Sequence, residues 1–162
     1  MSSQPDKDDH VVITDGRQSP TAAAVQRGTS RMLYRAGFAS VCELTLSTRR
    51  RADILAINTK GEIWIVEIKS SPADYMSDHK WREYMDYCDR FFFAIPADMD
   101  PGLIDTDAGL IIADAYGAEI MRSSEEAKLS PARRKAVTLL TARTTALRLQ
   151  FAADPKALGK GL

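Results

Sequence analysis

Apolar residues change their spacing several times along this chain, and each change marks an element. Between Ser19-Pro20, a capping serine with proline at the first helical position, and Ala36-Gly37, residues Ala22, Val25, Met32, Leu33 and Ala36 share one helical face. This predicts a helix over 20–36, with Arg27, Arg31 and Arg35 on a neighbouring ridge. Three short β-like stretches follow at 40–46, 52–58 and 62–69 and read as a meander. Ser71-Pro72 opens a second helical stretch with a further cap at Ser77, in which Trp81, Tyr84, Met85 and Cys88 fall at i, i+3, i+4 and i+7. Asp78, Arg82 and Asp86 are spaced for i, i+4 charge pairs on the other side of that helix. The wholly apolar run Phe91 to Ile95, ended by Pro96, suits a strand buried on both faces at the centre of a sheet. Residues 109–113 and 118–121 form a weaker strand pair around Tyr116-Gly117, and Ser130-Pro131 opens a long helix through Val137, Leu140, Leu147 and Phe151. Residues 1–18 are polar without periodicity and read as a flexible tail, 19–152 as one α/β domain, and 153–162 as a frayed end.

The size of 162 residues fits one domain, and 44% hydrophobic with 27% charged residues gives a core and a soluble surface. No run approaches the roughly 18 apolar residues of a membrane-spanning helix. Cys42 and Cys88 lie far apart, which fits a reducing, cytoplasmic setting and excludes a disulfide framework or a cysteine zinc site. His10 and His79 do not make a ligand pair. Basic and acidic residues balance at 22 each, yet they are not evenly spread. Residues 20–56 hold six arginines against Glu43 and Asp53, residues 127–162 hold eight basic residues against Asp154, and residues 96–126 hold eight acids against Arg122. Such blocks fit either solvated faces or an anion-binding surface built from both ends of the domain.

The chemistry concentrates in Ile63-Trp64-Ile65-Val66-Glu67-Ile68-Lys69, an apolar strand that admits a carboxylate and an ammonium near its end. Strand side chains alternate, so Glu67 and Lys69 point the same way. The same spacing in Glu126-Ala127-Lys128 sits in a polar stretch, so context carries the argument. A three-residue turn, Thr59-Lys60-Gly61, with glycine in the left-handed position, pairs Asn58 with Glu62. Asp53 then falls directly opposite Glu67, with Cβ atoms about 4.5–5.5 Å apart. A turn shorter by one residue sets Asp53 against Ile68 instead and dissolves the site. Two carboxylates this close repel unless a proton or cation intervenes, and their hard oxygens suit Mg2+ or Mn2+. Glu43, an acid inside another apolar stretch, extends the cluster from the preceding strand. The alternative for Asp53, Glu67 and Lys69 is an inert salt-bridge network on an exposed sheet face, and for Glu43, whose pairing across 47–51 is not fixed by the sequence, an inert role stands level with membership of the cluster.

Arg51-Ala52-Asp53 followed by Glu67-Ile68-Lys69 resembles the D…(D/E)-x-K signature of the PD-(D/E)XK nuclease superfamily, with Ala52 in place of its proline. Over residues 20–125, Arg50-Arg51-Ala52-Asp53, Val66-Glu67-Ile68-Lys69-Ser70-Ser71 and the run from Asp78 through Lys80-Trp81, Tyr84 and Tyr87-Cys88-Asp89-Arg90-Phe91 are similar to the MmcB-like DNA-repair endonucleases. The resemblance implies a restriction-endonuclease-like three-layer αβα core with a mixed central sheet flanked by helices. It further implies metal ligation by Asp53, Glu67 and the Ile68 carbonyl and a catalytic role for Asp53, Glu67 and Lys69, to which the reading of the residues alone adds Glu43 as a catalytic candidate. Lys69 then orients or deprotonates water, or neutralises phosphate charge. Asp78, Lys80 and Tyr84 support the site from the adjoining helix.

The expected activity is metal-dependent DNA cleavage in repair, in a cytoplasmic, nucleoid-associated protein whose partners are DNA and other repair proteins. Arg27, Arg31, Arg49, Arg50, Arg51, Arg133 and Arg134 are the expected phosphate contacts, which give affinity without sequence reading. At helical spacing Trp81 and Tyr84 read as core before base-stacking. The competing readings are a non-cleaving DNA-binding module of the same fold and a hydrolase of RNA or nucleotides.

Overall fold

The computed structural model describes residues 18–156; most of the expected N-terminal tail, 1–17, and the last six residues lie outside them. Each of the three Ser-Pro signals opens an α-helix: α1 (Pro20–Arg35), α2 (Pro72–Met76) and α3 (Pro131–Ala153). In each the serine Oγ accepts a backbone N–H three residues on, with Ser19 taking Ala22, Ser71 taking Asp74 and Ser130 taking Arg133. Gly37 follows α1 with φ +86°, the left-handed turn foreseen for it.

Six strands, β1 (Phe38–Thr45), β2 (Arg51–Asn58), β3 (Ile63–Ile68), β4 (Arg90–Pro96), β5 (Gly109–Ala113) and β6 (Ala118–Arg122), form one mixed sheet in sequence order. The first three pair antiparallel, β4 joins β3 and β5 in parallel, and β6 closes antiparallel on β5. β4 is central, and Phe91, Phe92 and Phe93 are each at most 1% exposed. Burial of such a ring stabilises by about 1.5–3 kcal/mol. Alternate side chains divide between two cores. Val25 and Leu33 of α1 meet Ile54, Val66, Phe92 and Ile111 on one face. Trp81 and Tyr84, with Val137 of α3, meet Leu55, Ile65, Phe91 and Phe93 on the other, so helices cover both faces of an α/β sheet. α1 reaches the β5–β6 turn through Gly28, where a Cβ would lie 1.8 Å from the Asp114 carbonyl oxygen. Among the described residues no helix is long and apolar enough to cross a membrane.

The helical stretch expected from Ser71, with a further cap at Ser77, is two short pieces, α2 and a 3₁₀ helix at Trp81–Tyr87, and Ser77 ends the first instead of opening the second. Trp81 and Tyr84 are buried and Tyr87 half-buried, a recurrence every three residues that suits the tighter helix. The expected Asp78–Arg82–Asp86 ladder is therefore absent, because α-helical spacing is lost between them. Asp78 pairs with Lys69, and Arg82 reaches Asp105 and Asp107. Cys88 is buried and Cys42 half-buried.

Candidate functional site

The β2–β3 turn is the three-residue loop that the site requires. Gly61 has φ +80°, its N–H donates to the Asn58 carbonyl (3.0 Å), and the Asn58 N–H donates to that of Glu62 (3.2 Å). Pairing runs from Ile57↔Ile63 to Ile54↔Val66, so the next step sets Asp53 against Glu67. There the backbone ladder gives way to side chains. The Asp53 N–H donates to Glu67 Oε1 (2.9 Å), and the Ile68 N–H donates to Asp53 Oδ2 (2.7 Å). Each carboxylate thus replaces a backbone acceptor, satisfying buried donors while fixing both groups side by side.

Only 6% of Glu67 is exposed, and burial, followed by the charge of Asp53, pushes its carboxyl well above the usual range. Burial also raises Asp53 to about 6, against the pull of the Ile68 N–H and the Lys69 charge. A proton or a cation is needed to hold this pair together.

Lys69 extends the parallel ladder, its N–H donating to the Ala94 carbonyl (2.9 Å), and its side chain is buried. The ammonium lies 2.9 Å from Asp78 Oδ2. Burial raises the Asp78 carboxyl, but hydrogen bonds from the Lys69 ammonium and the Lys80 N–H outweigh it and leave the group below its ordinary value. Lys80 acts through that N–H (3.0 Å to Asp78 Oδ1), and its side chain is exposed. Tyr84 donates its hydroxyl to the Arg51 carbonyl (2.9 Å), anchoring the start of β2. Burial, with the charges of Glu67 and Asp53 behind it, raises the Tyr84 phenol and keeps it a donor.

These groups open on a cavity of about 260 Å³ lined by Glu43, Arg51, Asp53, Glu67, Ile68, Lys69 and Asp74, with Gln18 and Ala22 at the start of α1. It lies at the carboxyl end of β3, where open α/β sheets commonly place ligands. Asp74 and Gln18 carry no signal in sequence. Asp74 enters through α2, where it accepts the Ser70 N–H (3.0 Å), and its charge adds to the upward pull on Asp53. Among the described residues no three His, Cys, Asp or Glu side chains stand together as a metal-ligating group. Two hard carboxylates raised by burial, beside a strand end whose carbonyl is a further oxygen donor, nonetheless fit a divalent cation completed by water. A larger cleft of about 430 Å³, between Ser47, Tyr87 and the first turns of α3, contains no carboxylate.

The arginines separate into two groups. Arg27, Arg31, Arg49, Arg51 and Arg133 are exposed, the last with its guanidinium 4.6 Å from the centre of the Tyr87 ring. Arg50 is tied to Glu83 (2.5 Å). Arg134 grips the buried Asp89 with two bonds of 2.7 Å and adds a third to the Gly61 carbonyl, so it holds α3 to the β2–β3 turn instead of extending the surface track. Trp81 and Tyr84 are core residues, with Trp81 stacked on Phe91 at 5.3 Å.

No curated protein matches this chain. A solved structure of a protein of unknown function from Silicibacter pomeroyi is similar to it at 41% identity and a TM-score of 0.82, covering 90% of this chain and 98% of the other. The family profile described as DNA repair protein MmcB-like matches residues 9–156. A match over nearly the whole length, on a sheet that carries the motif residues at the end of β3, establishes that the chain belongs to the MmcB-like family of DNA repair proteins.

Proposed function

We propose that the chain is a metal-dependent DNA endonuclease or structure-specific nuclease of DNA repair, built on a PD-(D/E)XK-type core. The observation that carries this reading is the exchange of bonds by which Asp53 and Glu67 replace the β2–β3 ladder and face one cavity together with Lys69. Asp53, Glu67 and the Ile68 carbonyl would hold Mg2+ or Mn2+, which supplies Lewis-acid stabilisation of the phosphodiester and readies water for attack.

The chain's own groups do the rest. Lys69, held by Asp78, presents a fixed ammonium at the cavity wall, where it orients the attacking water and offsets charge on the phosphate. Tyr84 fixes the carbonyl of Arg51, two residues before Asp53, and so steadies the strand that delivers the carboxylate. Arg51 at the rim and the exposed Arg49 nearby contact the phosphate backbone, which favours recognition of DNA shape over sequence. On this reading the partners are DNA and other repair proteins, met at the nucleoid. A non-cleaving DNA-binding module is disfavoured because it has no need of two buried, mutually repelling carboxylates.

The test is incubation with Mg2+ or Mn2+ and a panel of DNA duplexes, ends, flaps, single strands and damaged sites, alongside RNA. Cleavage of at least one DNA form is expected, falling by about 10²-fold or more in Asp53→Asn and Glu67→Gln. Failure to cut any form, or equal cutting by Asp53→Asn, overturns the nuclease reading. Preferential cutting of RNA moves the assignment to a ribonuclease.

A further inference from the structure

Glu43 has φ +55°, a left-handed conformation that residues other than glycine rarely adopt. In an extended strand successive carbonyls point to opposite sides. At Glu43 they converge. Arg148 of α3, 105 residues away, donates from Nη1 to the Cys42 carbonyl (2.5 Å) and from Nη2 to the Glu43 carbonyl (2.6 Å). One planar fork can grip two successive carbonyls only if they run side by side, as they do about a residue in the left-handed region.

The conformation has a consequence for the side chains. Val41 and Leu44, three residues apart, both enter the core that faces α3, so the alternation of β1 slips by one place at Glu43. The β1–β2 register carries through that slip, from Cys42↔Ile54 to Leu44↔Ala52, which leaves Glu43 level with Asp53. Glu43 lines the same cavity as Asp53 and Glu67.

We propose that Arg148 is a positioning residue: by clamping the Cys42 and Glu43 carbonyls it holds Glu43 left-handed and so turns a third carboxylate towards the cation-binding cavity. The metal half of this inference rests on the function proposed above. The conformational half does not.

The experiment uses the full chain as wild type, Arg148→Met, Arg148→Lys, Glu43→Gln and the double variant Arg148→Met with Glu43→Gln. First, backbone scalar couplings and intraresidue NOEs at Glu43 are read in metal-free protein by NMR. Arg148→Met is expected to move residue 43 to extended values while the Asp53 and Ile68 amides keep their shifts. Arg148→Lys, which lacks the planar fork, is expected to do the same. A residue 43 that stays left-handed in a folded Arg148→Met overturns the proposal whatever the metal does.

Second, Mn2+ affinity is measured by calorimetry. Arg148→Met is expected to weaken it by about tenfold, and by no further factor in the Glu43→Gln background. An equal loss in both backgrounds, or no loss in the first, overturns the role through Glu43. Absence of Mn2+ binding in wild-type protein with a left-handed residue 43 overturns the metal reading and, with it, the purpose assigned to the clamp. Global unfolding of Arg148→Met is distinguished by the Arg148→Lys variant and by the amide spectrum.

Discussion

Asp53 and Glu67 are held by backbone N–H groups yet both are raised by burial, Asp53 to about 6. In the unfolded chain an aspartate titrates near 3.9. Between those values the folded protein keeps a proton that the unfolded chain gives up, so Asp53 makes folding less favourable as pH rises through about 4 to 6, and Glu67, raised well above its usual range, carries the loss further upward. Metal-free protein is therefore expected to melt at a higher temperature at pH 5 than at pH 7.5, with Mn2+ closing the gap at pH 7.5, as thermal unfolding at the two pH values would show. Apparent Mn2+ affinity should rise with pH through about 6, because the cation displaces a proton.

Asp53→Asn keeps an oxygen for the Ile68 N–H while removing the buried charge. It should stabilise the metal-free protein by about 0.5–2 kcal/mol in urea denaturation and abolish cation binding, the usual opposition between stability and function at a site. Lys69→Met, in contrast, should retain cation binding and lose cleavage by about 10²-fold or more in single-turnover assays.

At the scale of elements, the most exacting junction outside the site is α3 against the β2–β3 turn. Asp89 is 2% exposed, accepts the Ile63 N–H (2.7 Å) and the Leu129 N–H (2.9 Å), and faces Arg134 through two bonds. Arg134→Ala leaves that carboxylate buried without its cation and should cost about 3 kcal/mol or more in denaturant titrations. Arg82→Ala, whose exposed side chain meets the half-buried Asp105 and the exposed Asp107, should leave the midpoint nearly unchanged.

The elements differ in how far sequence reveals them. The Asp53–Glu67 register is legible because it depends on one local turn, and Gly61 announces the left-handed residue that sets the turn's length. The helix expected after Ser71 misleads because Trp81 and Tyr84, three apart, fit α and 3₁₀ periods equally. Only packing on Phe91 and Phe93 decides between them. The Arg148 clamp and the Asp89–Arg134 pair are illegible, since each joins residues tens of positions apart through carbonyls or a carboxylate that no pattern marks.

For the whole molecule, the cavity opens at the end of β3 with Arg51 at its rim, while the acids Asp105 and Asp107 are engaged with Arg82 away from it. Zero net charge thus hides an uneven surface. If Arg49 and Arg51 each meet a phosphate, replacing both with Gln should lower the slope of log affinity against log salt by about 0.9 for each phosphate no longer neutralised. The preference among DNA forms should survive, because arginines that meet phosphates position the backbone without reading bases.

The most direct test of the central claim is calorimetric titration of Mn2+ into wild-type protein at pH 6, near the Asp53 value, in buffers of different ionisation enthalpy, which counts the protons released on binding. The account predicts binding with proton release in the wild type, and neither in Asp53→Asn or Glu67→Gln. A wild-type protein that takes up no Mn2+, or binds it unchanged when Asp53 is replaced, would contradict the account and leave the carboxylate pair a structural feature of the sheet.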